Sequence, residues 1–367
     1  MNFDFSDDAK ALRDQARRFL DEQAGAAVAR KSMDGDATFD AELWKSVVEL
    51  GWTAARVPEA HGGIGLSAEE ACVLAEEVGR SLIPVPFVST LMATEALLLA
   101  GSEAQQAKWL PGIADGSVIA TVGWAEGDNA SPATTRGVRA EAGKLSGSKL
   151  PVPDLQGAHL AIISVAGLDG PSLHLVDLSG PGVTVEAAPT LDLVRRHGKL
   201  TLDGAPAEPL GDNAAFHAWL DRAAVLSAWE AIGTGSVAME MAVAYAKERV
   251  AFGQKIGRYQ GVKHKCADMY VKLELARAHA MHGAWAMATG APELGQAAAA
   301  ARVSALDALK YAAEENVQLH GGIGFTWESD CQFYYRRSRQ IAFALGSRNW
   351  WADRLVRTLE RRNARAA

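Results

Sequence analysis

Two strings in the second half of the chain carry residue types suited to a phosphate-bearing ligand. The first is Arg249-Val250-Ala251-Phe252-Gly253, followed by Gln260. An arginine offers charge and a donor fork to a pyrophosphate, and a glutamine offers a neutral amide. The second is Gln318-Leu319-His320-Gly321-Gly322-Ile323-Gly324-Phe325-Thr326-Trp327-Glu328. There an Ala-rich helical stretch stops in three glycines, which let a ligand reach backbone amides. Each string also has a plain reading. The first fits a helix-end arginine with a surface glutamine, and the second a helix C-cap before a tight turn.

The elements that must position these strings follow from periodicity. Residues 1 to 117 are helix-rich, with Leu12, Ala16, Phe19 and Leu20 at helical spacing. Ser67 with Glu70, and Ser102 with Gln105, fit the capping-box pattern. Gly62-Gly63-Ile64-Gly65 reads as a loop between helices. From 118 to 210 the pattern becomes β-prone: Leu160–Val165, Leu173–Asp177, Val183–Glu186 and Lys199–Asp203 are short and punctuated by Gly, Pro and Asp. An antiparallel sheet or small barrel is expected, with a hairpin turn at Gly147. From 211 to 367 the chain is helical again, with candidates near 212–250, 258–289, 293–319 and 345–364 and a shorter one near 329–341. Four long helices with short links predict a bundle.

This order gives an α+β chain of three units, 1–117, 118–210 and 211–367. It is not the alternating order of a doubly wound sheet, and no Gly-x-Gly-x-x-Gly follows a strand. His-Gly-Gly-Ile-Gly occurs at 61–65 and again at 320–324, but the flanks differ, so it is no repeat. A length of 367 residues suits more than one core. The net charge of −7 disfavours nucleic-acid or anionic-membrane partners. Cys72, Cys266 and Cys331 are too scattered for a metal cluster or a disulfide framework. The start, Met1-Asn2-Phe3-Asp4-Phe5-Ser6-Asp7-Asp8, lacks the basic and apolar regions of a signal peptide. Pro84, Pro86 and Glu95 interrupt the most apolar stretch, 81–100. A cytoplasmic protein without a membrane span is expected.

Taken together, the two strings closely resemble the acyl-CoA dehydrogenase pattern. Further matches span the chain: Pro58-Glu59-Ala60-His61-Gly62-Gly63-Ile64-Gly65-Leu66-Ser67, Glu76-Glu77-Val78-Gly79-Arg80 and Ala267-Asp268-Met269. The resemblance covers nearly all of the sequence. It implies a helical N-terminal domain, a central antiparallel β-barrel domain and a C-terminal four-helix bundle, usually assembled as a tetramer. It implies FAD as cofactor, an acyl-CoA thioester as substrate and an electron-transfer acceptor protein as redox partner. In the family, FAD is shared between subunits. One subunit holds the flavin ring and its neighbour holds the ADP half. Carried over, the ADP-holding set is Arg249, Phe252, Gln260, Gln318, Gly321 and Gly322, and Ser347 is placed at the adenine side.

The ring-holding half departs from the family. Where members often have Thr-Glu-Pro-x-x-Gly-Ser-Asp, this chain has Ala125-Glu126-Gly127-Asp128-Asn129-Ala130-Ser131. Where members have Trp-Ile-Thr after Gly-x-Lys, it has Leu150-Pro151-Val152-Pro153 after Gly147-Ser148-Lys149. Proline neither stacks as tryptophan does nor offers an N–H. The catalytic base of many members precedes a Gly-Thr or Gly-Ser pair. Here that position is Leu345, in Phe343-Ala344-Leu345-Gly346-Ser347. Other members place the base before an arginine on an earlier helix, which here gives Asp221, before Arg222. The plain reading of Asp221 is a helix-start carboxylate paired with a nearby cation. Two functions compete. One is a partner subunit of a heteromeric dehydrogenase of steroid or bulky acyl-CoA catabolism, sharing flavin with a second, unlike subunit. The other is a self-sufficient homotetramer using Asp221. A flavin monooxygenase ranks last, since nothing marks an oxygen-activating site.

Overall fold

The computed structural model describes residues 4–127, 131–134 and 136–366. Asp128, Asn129 and Ala130 of the string discussed above, and Met1, Asn2 and Phe3 of the N-terminal reading, lie outside the described residues. Six helices come first: α1 (Asp7–Gln23), α2 (Ala26–Asp34), α3 (Ala41–Glu49), α4 (Ala68–Ser81), α5 (Phe87–Ala100) and α6 (Glu103–Ala114). Ser102 and Gln105 form the expected capping box at α6. At α4 the expected box does not form: Ser67 caps the helix through the Glu69 amide, and its hydroxyl donates to the Glu70 carboxylate. Helix α5 is buried on every side from Phe87 to Leu97, so its apolar sequence builds a core helix. Among the described residues no helix is long and apolar enough to cross a membrane.

Eight strands follow: β1 (Ala120–Gly123), β2 (Arg139–Glu141), β3 (Lys144–Pro153), β4 (Leu160–Val165), β5 (Ser172–Asp177), β6 (Val183–Ala188), β7 (His197–Pro206) and β8 (Glu208–Gly211). They form two four-stranded sheets, ordered β1-β4-β5-β8 and β2-β3-β7-β6. The expected closed barrel is not found among the described residues. Nor is the pairing wholly antiparallel, because β1 runs parallel to β4. The alternation along β4 explains the layering. Ala161, Ile163 and Val165 pack between the two sheets, while Leu160 and Ile162 join the helical core. A strand buried on both faces reads as one apolar run, as this one does. Gly147 is not the hairpin turn. It lies inside β3 with φ +131°, beside a register irregularity, and a Cβ there would strike the Gly137 carbonyl. The turn is Ala142-Gly143, both at positive φ.

The last third holds α7 (Asn213–Glu248), a hairpin of β9 (Val250–Ala251) and β10 (Gln254–Lys255), then α8 (Gln260–Thr289), α9 (Leu294–His320), α10 (Cys331–Phe343) and α11 (Arg348–Ala366). Helix α7 spans about 54 Å at 1.5 Å per residue. It packs on α8 and α9, and α11 lies along α9. Helix α4 also packs along α7, so the two helical regions share one core. Gly79 and Gly233 permit that approach, since a Cβ on either would strike the facing backbone, at Glu230 and Glu76 respectively.

Candidate active site and cofactor surface

A cavity of about 540 Å³ opens where α5, β1, the end of β3, the β6–β7 loop, α7 and the α10–α11 turn converge. Its walls are mainly apolar, with Met92, Trp124, Pro151, Phe343 and Leu345 among them. Two indoles fix the α10–α11 turn. Trp124 Nε1 donates to the Ala344 carbonyl at 2.6 Å, and Trp351 Nε1 donates to the Leu345 carbonyl at 2.7 Å. Leu345 is thereby held in the wall, 1% exposed. Its side chain takes no proton. Ser347 also lines the cavity, and its Oγ accepts the Trp350 amide at 3.2 Å.

Behind the Pro151 wall, Lys149 is wholly buried. Its Nζ donates to Glu126 Oε1 at 2.6 Å, Ser164 Oγ at 3.0 Å and the Trp124 carbonyl at 3.3 Å. Burial pushes the ammonium down to about 8, against the opposing pull of Glu126. Glu126 also accepts the amides of Arg136 and Gly137 at 2.8 and 2.7 Å. This pair therefore ties the middle of β3 to the 136–138 segment, and neither residue lines the cavity.

The cavity has one charged end. Arg337 pairs with Asp192, and Arg195 Nη2 lies 2.7 Å from Glu230 Oε1. All four are at most 11% exposed at the side chain. Burial pushes the Asp192 carboxyl up, but the Arg337 charge and hydrogen bond outweigh it and hold it below the usual value. His197, on the same wall, is pushed down to about 4 by burial and by Arg195, so it is neutral near pH 7. Asp192, Arg195 and His197 share one short segment, but Glu230 comes from α7 and Arg337 from α10, and no local spacing joins them. One signal was available: Glu230 sits within Ala223-Ala224-Val225-Leu226-Ser227-Ala228-Trp229-Glu230-Ala231-Ile232, a charge inside an apolar helix run.

Asp221 is not brought to this cavity. Arg354 Nη2, on α11, lies 2.6 and 2.7 Å from its two carboxylate oxygens. Burial raises its carboxyl above the ordinary value, and Arg354 opposes that rise. The following Arg222 pairs with the buried Glu95 at 3.0 Å.

The phosphate-type residues gather elsewhere. Helices α7, α8 and α9 run up, down and up, so the end of α7, the start of α8 and the end of α9 meet at one end of the bundle. Tyr245 stacks on His320 there, ring centroids 4.2 Å apart. Arg249 caps α7, Gln260 opens α8, and Gln318 precedes the Gly321–Phe325 turn. Arg249, Phe252, Gln260, Gln318, Gly321 and Gly322 are all exposed, Phe252 at 96%. None of the six lines the cavity. The surface suits an anion. A Cβ on Gly253, Gly261, Gly321 or Gly322 would meet only open space, and α8 begins without a side-chain cap on its amides.

Residues 6–117 match the acyl-CoA dehydrogenase N-terminal domain, and residues 211–359 match the acyl-CoA dehydrogenase C-terminal domain. The chain is 33% identical over 342 residues to the acyl-CoA dehydrogenase IpdE2 of Mycolicibacterium smegmatis, covering 93% of this chain and 95% of that protein. It superposes on a chain of the Tcur3481-Tcur3483 steroid ACAD with a TM-score of 0.91 and 33% identity, over 97% of this chain and 99% of that one. A chain of the ChsE4-ChsE5 complex of Mycobacterium tuberculosis gives a TM-score of 0.90 at 25% identity, over 98% and 99%. The protein is thus a member of the acyl-CoA dehydrogenase family of FAD-dependent oxidoreductases.

Proposed function

We propose that this chain is the less catalytic subunit of a heteromeric acyl-CoA dehydrogenase of lipid or steroid catabolism, donating its exposed bundle end to a flavin whose ring is held by an unlike subunit. The observation that carries this reading is a separation. The six residues fitted to an ADP moiety sit on an exposed surface, outside the chain's own cavity. The cavity itself has Pro151, Pro153 and Leu345 where ring-holding and proton-abstracting groups are expected.

Bound FAD supplies a hydride acceptor for the β-hydrogen as the α-proton leaves. This chain's residues do the holding. Arg249 would offer a guanidinium to the pyrophosphate, and Gln260 and Gln318, from the same end of the bundle, would serve as neutral donors. Glycines 321 and 322 would let backbone amides reach it, and the start of α8 would add the positive end of a helix dipole. Phe252, Ile323, Phe325 and Trp327 are each more than half exposed on this surface. Such a group of apolar side chains suits coverage by another subunit. Two similar structures carry paired names, Tcur3481-Tcur3483 and ChsE4-ChsE5, which supports the heteromeric form.

The test is to express the chain alone and together with an unlike dehydrogenase chain encoded beside it. The chain alone is expected to be colourless and inactive on acyl-CoA, and the complex yellow and active. An active yellow protein from this chain alone contradicts the proposal.

A further inference from the structure

We infer that Tyr259 is a positioning residue for the cofactor surface, its hydroxyl holding the β9–β10 tip in the conformation that presents Phe252 to a bound flavin. The ligand rests on the bundle-end reading above, whereas the conformation rests on the hairpin alone.

The tip is a two-residue loop. Ala251 faces Gln254 and Val250 faces Lys255, which leaves Phe252 and Gly253 between the strands. Both have positive φ, +51° and +80°. That is the pattern of a type I′ turn, whose first central position favours Asn, Asp or Gly. Glycine meets the demand without a Cβ, but a ring-bearing L-residue is disfavoured in the left-handed region. Packing does not compensate, since Phe252 is 96% exposed. A residue strained in this way keeps its conformation only where its surroundings impose it.

The strands themselves impose little. Each has two residues, and an isolated two-stranded ribbon is marginal in water. The base of the hairpin is tied by backbone, the Ile256 amide donating to the Arg249 carbonyl at 2.8 Å. The tip is tied by a side chain from outside the hairpin. Tyr259 Oη donates to the Ala251 carbonyl at 3.1 Å and lies 3.3 Å from the Phe252 carbonyl. A phenol has one proton, so the two carbonyls share it. Tyr259 directly precedes Gln260, the first residue of α8. One hydroxyl therefore couples the tip that carries Phe252 to the helix start that carries Gln260. The tip is ordered before a ligand arrives, which removes an ordering cost from binding.

Tyr259→Phe tests this, because it deletes the hydroxyl and keeps the ring. Phe252-Gly253 is the only Phe-Gly pair in the sequence. Labelling Phe with ¹³C at the carbonyl and Gly with ¹⁵N therefore isolates this one peptide bond in the NMR spectrum of the whole chain. The wild type should give a single sharp signal with the shifts of a left-handed turn. In Tyr259→Phe the signal should move toward random-coil values or split. FAD titrated into the flavin-depleted complex should bind Tyr259→Phe roughly 3- to 10-fold more weakly than wild type. In a Phe252→Gly background there is no ring to present, so Tyr259→Phe should change FAD affinity by less than about 2-fold. A purely structural tyrosine would weaken both backgrounds alike. An unmoved Phe-Gly signal, an unchanged FAD affinity, or an equal loss in both backgrounds overturns the inference. Arg249→Ala in the same titration separates two failures. If Arg249→Ala weakens FAD binding and Tyr259→Phe does not, the inference alone falls. If neither does, the bundle-end reading falls with it.

Discussion

Asp221 on α7 and Arg354 on α11 form a two-point ion pair, one guanidinium nitrogen lying 2.6 and 2.7 Å from the two carboxylate oxygens. The carboxylate is thus committed to joining two helices. Arg354 also lies over the Trp350 and Trp351 rings, 5.6 Å from each centroid. Trp351 in turn holds the Leu345 carbonyl.

Asp221→Asn should therefore lower stability without abolishing turnover in the complex. Loss of a charge-assisted bond costs about 1.5–3 kcal/mol. Urea unfolding gives the stability change, and acyl-CoA oxidation per folded complex gives the rate. A collapsed rate with folding and flavin content intact would restore Asp221 as a proton acceptor, because an amide takes no α-proton.

Arg249→Ala should weaken flavin retention in the complex while leaving the fold intact. Arg249 is exposed, so the fold loses little. A charge-assisted contact to phosphate is worth about 1.5–3 kcal/mol, or roughly 10- to 150-fold in affinity. The flavin-to-protein absorbance ratio after gel filtration reports it. An unchanged ratio removes Arg249 from the donated set.

His197 should shape the acid limb of the stability curve. Its imidazole is pushed from 6.5 down to about 4 by burial and by Arg195. Between those values the unfolded chain binds a proton that the folded chain does not. The contribution is complete above pH 6.5 and is lost as pH falls toward 4. Its size is on the order of 3 kcal/mol. His197→Gln should flatten the curve in that window, and chemical denaturation at several pH values measures it.

Gly233→Ala should destabilise the fold by several kcal/mol, on the scale of overpacking in a rigid core. The added methyl would strike the Glu76 carbonyl, which is helix backbone and does not rotate away. Thermal unfolding checks this. A melting temperature equal to that of the parent would show that α4 and α7 are free to separate.

Much of the architecture was legible because helices announce themselves by period. Helices α7, α8 and α9 begin and end within two residues of their expected limits. Strands β4 to β7 were also visible as short apolar or β-branched runs. Strands β1, β2 and β3 were not, because Lys144–Pro153 mixes buried and exposed positions irregularly and holds two prolines. Gly147 looked like a turn because its φ requirement is real, but a bulge inside a strand makes the same demand. The donated strings were legible because each lies on a contiguous stretch. The charged end of the cavity was not, since Asp154, Asp192, Arg195, Glu230 and Arg337 come from four different segments. Sequence gives each its charge, and only the fold gives each its partner.

The central claim is that one flavin site is built from two unlike chains. The most direct measurement is the number of FAD molecules per chain in the purified, active complex, from native mass spectrometry before and after mild denaturation. If this chain only donates its bundle end, the complex should carry half as many flavins as chains. Arg249→Ala in this chain should deplete that flavin. One tightly held FAD for every chain, in an assembly containing this chain alone, would contradict the account.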